Sequence, residues 1–416
     1  MDFPNGWIAV PLEVLLDYEQ PQKYIVESTA YSDSYPTPVL TAGKSFIIGH
    51  TDETTGIYKD NLPVIIFDDF TTATQFVTFP FKVKSSAMKM LQTVSLELSI
   101  KYLFYRMQLI RHNATTHKRY WISDYSKNVV ELPPLAEQHR IVAKIDALFS
   151  KLDKGVEILQ TIRQQLRTYR QAVLKWAFEN STAHVEILPL KKLCTHIVDC
   201  LHSTPKWTES GELCLRTTNF RKGYLDLSEK NYVSLETYND RIRRLKPEKD
   251  DVLYSREGAI LGLACLVPEN VELCLGQRMM MMRVNTSMAP RFLMHYLNSP
   301  MIESIVKKKT GGTASPHINI GDIKLFEIPT PTLPEQLEIV AAIESRLSVC
   351  DKLEQIVDES LAKAEALRQS ILKKAFAGRL VPQDPNDEQA EKLLDRIRAA
   401  KATTETKPKT ARGKRK

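Results

Sequence analysis

The chain has 416 residues, 43% of them hydrophobic, which is enough for several buried cores and predicts a multidomain globular protein. Its formal net charge is +7, but the segment Lys401–Lys416 carries seven basic and one acidic side chain, so the remainder carries about +1. These values exclude a uniformly basic protein, and nucleic-acid contacts in the body would have to come from local clusters.

The sequence lacks membrane and secretion signals. It contains no apolar run of about 18 residues, and its first ten residues lack the basic start and apolar stretch of a secretory signal. We therefore expect a cytoplasmic protein that makes no membrane contact. The basic tail has two interpretations, screened attraction to phosphates or a disordered, solubilising end.

The six cysteines all lie beyond residue 193 and form no Cys-x-x-Cys pair, which argues against a disulfide framework. A ligand-like cluster is formed by Cys194, His196, Cys200 and His202, but its spacing matches no common zinc module. We therefore predict buried or incidental side chains at these positions and no structural metal.

In chain order, the first part of the sequence is a segment of mixed secondary structure. VIIFDDF from Val64 and QFVTFPFKV from Gln75 are typical of strands, and SLELSIKYLFYRM from Ser95 is typical of a short helix. A second mixed segment has a strand pattern in MMMMRV from Met279 and a helix pattern in PRFLMHYLNS from Pro290.

A long amphipathic helix is predicted after each mixed segment, because apolar residues recur there every three or four positions over about 40 residues. The first runs from Glu137 to Phe178, and the second ends at Gly378. A narrow apolar stripe on so long a helix requires a partner of equal length, so we predict that the two helices pair antiparallel. The alternative is that each helix packs only on its own mixed segment.

The two predicted helices are copies of one unit. LPPLAEQHRIVAKIDALFSKLDK from Leu132 returns as TPTLPEQLEIVAAIESRLSVCDK from Thr330, with a constant offset of 198 residues, and RQAVLKWAF returns as RQSILKKAF. Such agreement without a gap indicates an internal duplication, which predicts pseudo-two-fold symmetry.

The paired P-x-L-x-EQ-x-x-IV motifs, Pro133–Val142 and Pro331–Val340, resemble those of the specificity subunit of type I restriction-modification systems. The repeated helix ends and the segment FAGRLVPQDPNDEQAEKLLDRI strengthen this resemblance, which covers nearly the whole chain. It implies two target-recognition domains that each bind one half of a split DNA sequence. It also implies that the conserved helices hold the domains apart and dock other subunits.

The resemblance further implies an α+β fold with two mixed target-recognition domains and two long antiparallel coiled-coil helices. The predicted domains are residues 1–130 and 181–328, the spacer helices are 131–180 and 329–378, and a C-terminal extension with a basic tail is 379–416. The expected partners are double-stranded DNA, two modification (methyltransferase) subunits and restriction subunits. No cofactor is expected in this chain, whereas S-adenosylmethionine, ATP and magnesium are expected in the partner subunits.

Side chains that present paired donors or acceptors near predicted strand ends are the candidates for DNA contact. In the second mixed segment they are Arg216, Asn219, Arg256, Gln277, Arg278, and the cluster Lys307, Lys308 and Lys309 before Gly311 and Gly312. In the first they are Lys44, His50, Lys118 and Arg119. Ordinary surface polarity and solvated loops are the competing interpretations.

Catalytic motifs are poorly represented. TAGKS suggests a phosphate-binding loop, but Pro38 stands where that motif requires glycine. Pro385, Asp387, Glu391 and Lys392 only faintly suggest a nuclease. We therefore expect a non-catalytic DNA-specificity subunit. The alternatives are a protein–protein scaffold whose mixed domains bind peptides, and an intrinsic nuclease or methyltransferase.

Overall fold

The computed structural model describes residues 4–43, 45–111, 119–181, 185–310 and 316–405. The chain forms two compact units, each of which draws on both long helices. Unit 1 comprises Met1–Ile158 and Ser360–Lys416, and unit 2 comprises Leu159–Glu359.

Unit 1 is built from short strands and three short helices among its described residues. Its strands are β1 (Ile8–Pro11), β2 (Leu16–Glu19), β3 (Thr37–Leu40), β4 (Ile47–Thr51), β5 (Val64–Asp68), β6 (Thr74–Val77), β7 (Lys82–Val83), β8 (Met88–Thr93) and β9 (Val129–Leu132). Its short helices are α1 (Leu12–Leu15), α2 (Ile100–Met107) and α3 (Tyr120–Ser123).

Helix α4 (Leu135–Ser181) follows and leads into unit 2. The strands of unit 2 are β10 (Ile187–Pro189), β11 (Cys194–Asp199), β12 (Trp207–Thr208), β13 (Glu212–Leu215), β14 (Phe220–Arg221), β15 (Tyr224–Leu225), β16 (Tyr232–Val233), β17 (Val252–Ser255), β18 (Ala264–Leu266), β19 (Cys274–Leu275), β20 (Met279–Val284) and β21 (Glu327–Pro329). Its short helices are α5 (Leu190–Leu193), α6 (Leu235–Ile242), α7 (Pro290–Leu297), α8 (Pro300–Lys309) and α9 (Ile320–Lys324), and α10 (Leu333–Phe376) and α11 (Ala390–Glu405) complete the chain.

The two units repeat one arrangement of sheets. Unit 1 contains the sheet β2-β8-β5-β6 and the pair β1-β9, and unit 2 contains the corresponding sheet β11-β20-β17-β18 and pair β10-β21. Each unit adds a further sheet, β4-β3-β7 in unit 1 and β12-β16-β13-β19 in unit 2. The prediction of an α+β fold is confirmed, and so is its repetition along the chain.

The two long helices also confirm the prediction of antiparallel pairing. In unit 2, Arg163 of α4 pairs with Asp358 of α10, while Arg170 pairs with Asp351, so contacts move backward along α10 as they move forward along α4. In unit 1, Arg368 pairs with Asp153, which is the same contact displaced by the repeat offset. Within the described residues, no helix is both long enough and apolar enough to cross a membrane.

The glutamine of each repeated motif fixes a long helix to the mixed part of its unit. Gln138 is fully buried, donates to the carbonyl of Pro133 at 2.9 Å and accepts from the amide of Ser99, the residue that caps α2, at 3.1 Å. In unit 2, Gln336 accepts from the amide of Ala289, which precedes α7, at 2.7 Å. These buried hydrogen bonds explain why the motif requires glutamine.

Aromatic and aliphatic side chains form the core of each unit around this junction. Tyr102 of α2 meets Phe376 of α10 edge-on in unit 1, and Phe292 of α7 meets Phe178 of α4 in the same way in unit 2, with ring centroids 5.1 and 5.3 Å apart. Helix α11 adds buried apolar side chains to the core of unit 1, namely Leu393, Leu394 and Ile397. Helix α11 is therefore part of the packed body of unit 1.

One strand prediction is wrong. QFVTFPFKV does not form a single strand, because Thr74–Val77 pairs with β5 whereas Lys82–Val83 pairs in parallel with β3 in a different sheet. Pro80 lies between the two strands and has no N–H to continue a ladder, which accounts for the break.

Two glutamates at the same position of the repeated motif lie in opposite environments. Glu137 is 1% exposed and accepts a hydrogen bond from Trp7 Nε1 at 2.9 Å, and its burial raises the pKa of the carboxyl group. Glu335 is exposed, and hydrogen bonds from the hydroxyl and amide of Thr332, at 2.7 and 2.8 Å, lower the pKa of its carboxyl group. The two side chains should therefore affect stability with opposite pH dependence.

We expect Glu137→Gln to raise the free energy of unfolding at pH 7 and to change it little at pH 4. A raised folded pKa means that the neutral carboxyl group stabilises the fold below the unfolded pKa of about 4.3, and that this contribution is lost as the pH rises through the folded pKa. Glu335→Gln should instead lower stability at pH 7, with a deficit that shrinks as the pH falls through its lowered pKa. Urea unfolding at both pH values measures the two effects, and a lower stability of Glu137→Gln at pH 7 would contradict the first.

Candidate nucleic-acid interface

Three connecting segments meet at one end of the main sheet of unit 2. Antiparallel pairing sets Asp199, the last residue of β11, opposite Met280, and Ser255, the last residue of β17, opposite Met279. The segments that follow Asp199 and Ser255, and the one that precedes Met279, are therefore neighbours. We call this end of the sheet, with its three segments, the unit 2 loop edge.

Arg256 lies in the unit 2 loop edge but has an internal partner. Its guanidinium is buried and makes a bidentate ion pair with Asp199, with Nε–Oδ1 and Nη2–Oδ2 distances of 2.9 Å. The exposed imidazole of His202 lies 3.0 Å from the same carboxylate. The paired N–H donors of this guanidinium, which sequence analysis assigned to DNA contact, thus bind Asp199. Arg256 would have to leave this partner to reach DNA.

The main chain of Arg256 joins the neighbouring segments. Its amide donates to the carbonyl of Arg278 at 3.0 Å, and its carbonyl accepts from the amide of Ile318 at 3.0 Å. The amide of Gly258 donates to the carbonyl of Pro316 at 2.8 Å. The buried ion pair therefore anchors a residue that connects β17, β20 and the segment before α9.

Gln277 and Arg278 follow one another on the connection that enters β20. The side-chain amide of Gln277 donates to the carbonyl of His202 at 2.7 Å, which ties this connection to the one after β11. Arg278 is exposed, and its Nε lies 3.7 Å from the carboxylate of Glu257, its ion-pair partner. Of the residues singled out at this edge, Arg278 has the geometry best suited to an external contact.

Arg216 and Asn219 lie in the connection after β13. Asn219 is buried, and its side chain accepts from the amide of Arg216 at 2.8 Å and donates to the carbonyls of Asp226 and Glu229, each at 2.9 Å. The amide of Asn219 is thus used to shape the turn. Arg216 is exposed, and its guanidinium lies 4.4 Å from the ring centroid of Trp207.

The lysine cluster ends helix α8. Lys307, Lys308 and Lys309 are exposed, where the negative end of the helix dipole favours cations. Lys307 also pairs with Glu303 at 2.9 Å, and Lys309 pairs with Asp322 at 2.6 Å. Gly311 and Gly312, which follow this cluster in the sequence, lie outside the described residues.

Unit 1 has a corresponding unit 1 loop edge, where β5 ends at Asp68 opposite Met88. The next residue, Asp69, corresponds to Arg256 and is likewise buried in an ion pair, here with Lys89 at 3.2 Å. The carbonyl of Asp69 accepts from the amide of Tyr120 at 2.9 Å, just as that of Arg256 accepts from Ile318, 198 residues further on. The repeat therefore preserves the main-chain framework of this edge.

The sequence candidates in unit 1 are only partly described. Arg119 is exposed and immediately precedes α3, at the unit 1 loop edge. His50 lies on β4 and is half-buried, and its Nδ1 has no hydrogen-bond partner among the described residues. Lys44 and Lys118 lie outside the described residues. The assignment of these residues to DNA contact stays a prediction.

Sequence analysis missed the role of Asp199. It lies 57 residues before Arg256, and no local pattern connects the two positions. The signal is structural, because Asp199 is only partly exposed at the end of β11, and a carboxylate in such a place requires a cation or hydrogen-bond donors. His202 was considered only as a possible metal ligand, and no group of three or more potential ligands converges within the part of the chain that the structure describes.

Comparisons with known proteins agree with this architecture. Residues 218–361 match the family model described as "Type I restriction modification DNA specificity domain". The chain is 30% identical to the type I restriction enzyme EcoR124I/EcoR124II specificity subunit of Escherichia coli over 372 residues, which cover 86% of this chain and 90% of that relative. The chain belongs to the family of type I restriction enzyme specificity subunits.

The chain is also similar to a second relative in sequence and to a solved structure in fold. The EcoKI specificity subunit of Escherichia coli strain K12 is 29% identical over 302 residues, covering 66% of this chain and 64% of that relative. A chain from a solved structure on complex assembly and conformational transition of the type I R-M system has a TM-score of 0.65 at 19% identity, and the match covers 91% of this chain and all of that one. The latter similarity shows that the fold is shared.

We expect Arg256→Ala to lower the free energy of unfolding by about 3 kcal/mol, because it leaves the half-buried Asp199 carboxylate without its main cation. The matched variant Arg278→Ala should change stability by less than about 0.5 kcal/mol, since that side chain is exposed. Asp199→Ala/Arg256→Ala should cost less than the two single substitutions together. Denaturant unfolding of the unsubstituted protein, of Asp199→Ala, of Arg256→Ala and of the double variant measures this coupling. Additive costs would show that the pair does not act as a unit.

Proposed function

We propose that this family member is the DNA-reading subunit of a type I restriction-modification complex. Each of its mixed domains would bind one half of an asymmetric, bipartite sequence in double-stranded DNA. One observation carries this proposal. Each unit has a four-stranded main sheet, and at the equivalent end of the two sheets the connecting segments carry an exposed cation, Arg119 in unit 1 and Arg278 in unit 2. Two related but different faces are suited to two different half-sites.

The proposed division of labour follows the repeat. Residues 1–130 and 181–328 would be the target-recognition domains, residues 131–180 and 329–378 the spacer helices, and residues 379–416 the C-terminal extension. Phosphate contacts would come from exposed lysines such as Lys307 and Lys308, and base contacts from forked or amide side chains. A duplicated framework with divergent connecting segments supports this assignment.

The long helices would dock two modification subunits and, through them, the restriction subunits. Exposed apolar side chains recur on them at the repeat offset, with Ile158 and Leu367 in unit 1 and Ile356 and Tyr169 in unit 2, each about half exposed or more. Large apolar side chains in water at equivalent positions favour a partner that covers both surfaces alike.

The proposed subunit is non-catalytic. Methyl transfer and cleavage would be carried out by the modification and restriction subunits, which would bring S-adenosylmethionine, ATP and magnesium, while this chain would hold no cofactor. The lack of recognisable methyltransferase and nucleotide-binding motifs in the sequence supports this division. The substrate of the whole complex would be DNA that carries the bipartite sequence.

We expect the chain together with its modification subunit to bind one DNA sequence saturably, as measured by gel shift, with the sequence itself identified by methylome sequencing. Arg278→Ala should weaken binding by about 1 to 3 kcal/mol and relax base choice in one half-site, if its guanidinium contacts a base. Lys249→Ala is the matched control, because this exposed cation lies at the opposite end of β17. Equal weakening on every sequence would indicate a phosphate contact, and the absence of sequence-selective binding by the unsubstituted protein would favour a protein–protein scaffold.

We expect a native mass measurement to find two modification subunits on each chain. Ile158→Ser and Ile356→Ser should each weaken the attachment of one modification subunit, because they remove equivalent apolar contacts. Gln355→Ser, a change at an exposed polar neighbour, is the control. A single modification subunit on the unsubstituted chain would contradict the proposed stoichiometry.

A further inference from the structure

Four non-glycine residues among those described have left-handed backbone conformations: Thr72 (φ +59°), Asp250 (+68°), Asn270 (+59°) and Arg278 (+68°). Asp and Asn are the side chains that enter this region most readily, and both occur here in turns. Threonine, which is branched at Cβ, and arginine are disfavoured there. Thr72 and Arg278 therefore hold backbone strain that their side chains do not relieve.

Thr72 lies in the connection between β5 and β6, where a closed network holds it in place. One carboxylate oxygen of Asp68 accepts from the amides of Phe70 and Thr71 at 2.8 and 3.0 Å, and the carbonyl of Asp68 accepts from the amide of Thr72 at 2.9 Å. These hydrogen bonds fix the path of the turn, so the backbone cannot relax at Thr72 without losing them.

The base of this turn is equally fixed. Asp69 forms its buried ion pair with Lys89, accepts from the amide of Trp121 at 2.8 Å, and donates its own amide to the carbonyl of Ala87 at 2.9 Å. The turn is thus attached to β8, to α3 and to the segment before β8. It is a rigid projection from the unit 1 loop edge.

An aromatic ring is exposed at the tip of this rigid turn. Phe70 leaves 37% of its surface in water. Exposed cations lie on the segments attached to the turn, Arg119 before α3 and Lys84 before β8. An apolar tip on an edge that also carries cations is complementary to a DNA groove flanked by its phosphates.

The second strained residue lies at the unit 2 loop edge, on a different connection from that of Thr72. Arg278 immediately precedes Met279, the residue opposite the end of β17, as Ala87 immediately precedes Met88 opposite the end of β5. Its carbonyl accepts from the amide of Arg256, which fixes the backbone. Gly258, itself left-handed at +91°, leaves room for the guanidinium, because a Cβ there would lie 3.3 Å from Arg278 Nη1.

We propose that the left-handed backbone at Thr72 and Arg278 is retained because it aims base-contacting side chains at DNA, Phe70 in unit 1 and the guanidinium of Arg278 in unit 2. This inference rests on the DNA-reading function proposed above and adds the Phe70–Thr72 turn to its contact residues. The two loop edges give up stability for recognition, so relief of the strain should stabilise the fold, whereas loss of either base-contacting side chain should impair the reading of one half-site.

The test uses the full chain with its modification subunit and the bipartite DNA sequence identified by methylome sequencing. Thr72→Gly and Arg278→Gly should each raise the unfolding midpoint by about 2 to 4 °C, because glycine adopts this backbone without strain. Arg278→Gly and Phe70→Ala should each weaken DNA binding about tenfold or more and relax base choice in one half-site only. Thr72→Gly keeps the path of the turn and the Phe70 side chain, so it should leave DNA binding unchanged.

The matched controls are Asn270→Gly and Asp250→Gly, which remove side chains at the same φ values in unit 2 but outside the loop edge. They should leave DNA binding and base choice unchanged. Phe70→Ala and Arg278→Ala separate the side chain from the backbone, since each should impair its own half-site without raising the unfolding midpoint.

Two outcomes distinguish failure of this inference from failure of the proposed function. If the unsubstituted protein selects one DNA sequence but Arg278→Gly and Phe70→Ala bind it with unchanged affinity and base choice, the inference is overturned while the proposed function stands. If the unsubstituted protein with its modification subunit selects no sequence, both fall. A fall in the unfolding midpoint of both glycine variants would also overturn the claim that these positions hold strain.

Discussion

The buried glutamine amide at the start of each long helix is the interaction on which the rest of the structure depends. In each unit it donates to the carbonyl of the proline five residues earlier and accepts from the backbone amide at the start of a short helix, Ser99 for Gln138 and Ala289 for Gln336. A buried amide left without these partners would cost about 1 to 3 kcal/mol. The geometry of the junction is therefore fixed by hydrogen bonds that tolerate little displacement.

A second repeated contact is an ion pair between the two long helices. An arginine of one helix pairs with an aspartate of the other, Arg368 with Asp153 in unit 1 and Arg170 with Asp351 in unit 2. Arg368 also lies 4.2 Å from the ring centroid of Phe149, so it contributes packing as well as charge. Exposed ion pairs are weak individually, but buried apolar side chains supply the stability and the ion pairs favour one register.

The sequence predicted the long helices and their pairing because their signal is local and repeated, with apolar residues at helical spacing and a constant offset. It could not predict the partners of Arg256 and Asn219, since an ion pair across 57 residues and a side chain closing its own turn leave no periodic pattern. Both were singled out for correct chemistry, paired donors near strand ends, but such donors also satisfy buried acceptors. The sequence identified Arg278 by its chemistry, and the structure was needed to show that its side chain is exposed.

The two loop edges show how one framework can accept different connecting segments. Asp69 and Arg256 occupy corresponding positions and carry opposite charges, and each is neutralised from a different strand, by Lys89 on β8 and by Asp199 on β11. Since an unpaired buried charge would be costly, its sign can change only together with that of its partner. The main-chain hydrogen bonds from Tyr120 and Ile318 survive this reversal, so the framework stays constant while the surface above it diverges. The proposed contact of a duplicated protein with two unlike half-sites needs this separation between a repeated backbone and paired, exchangeable charges.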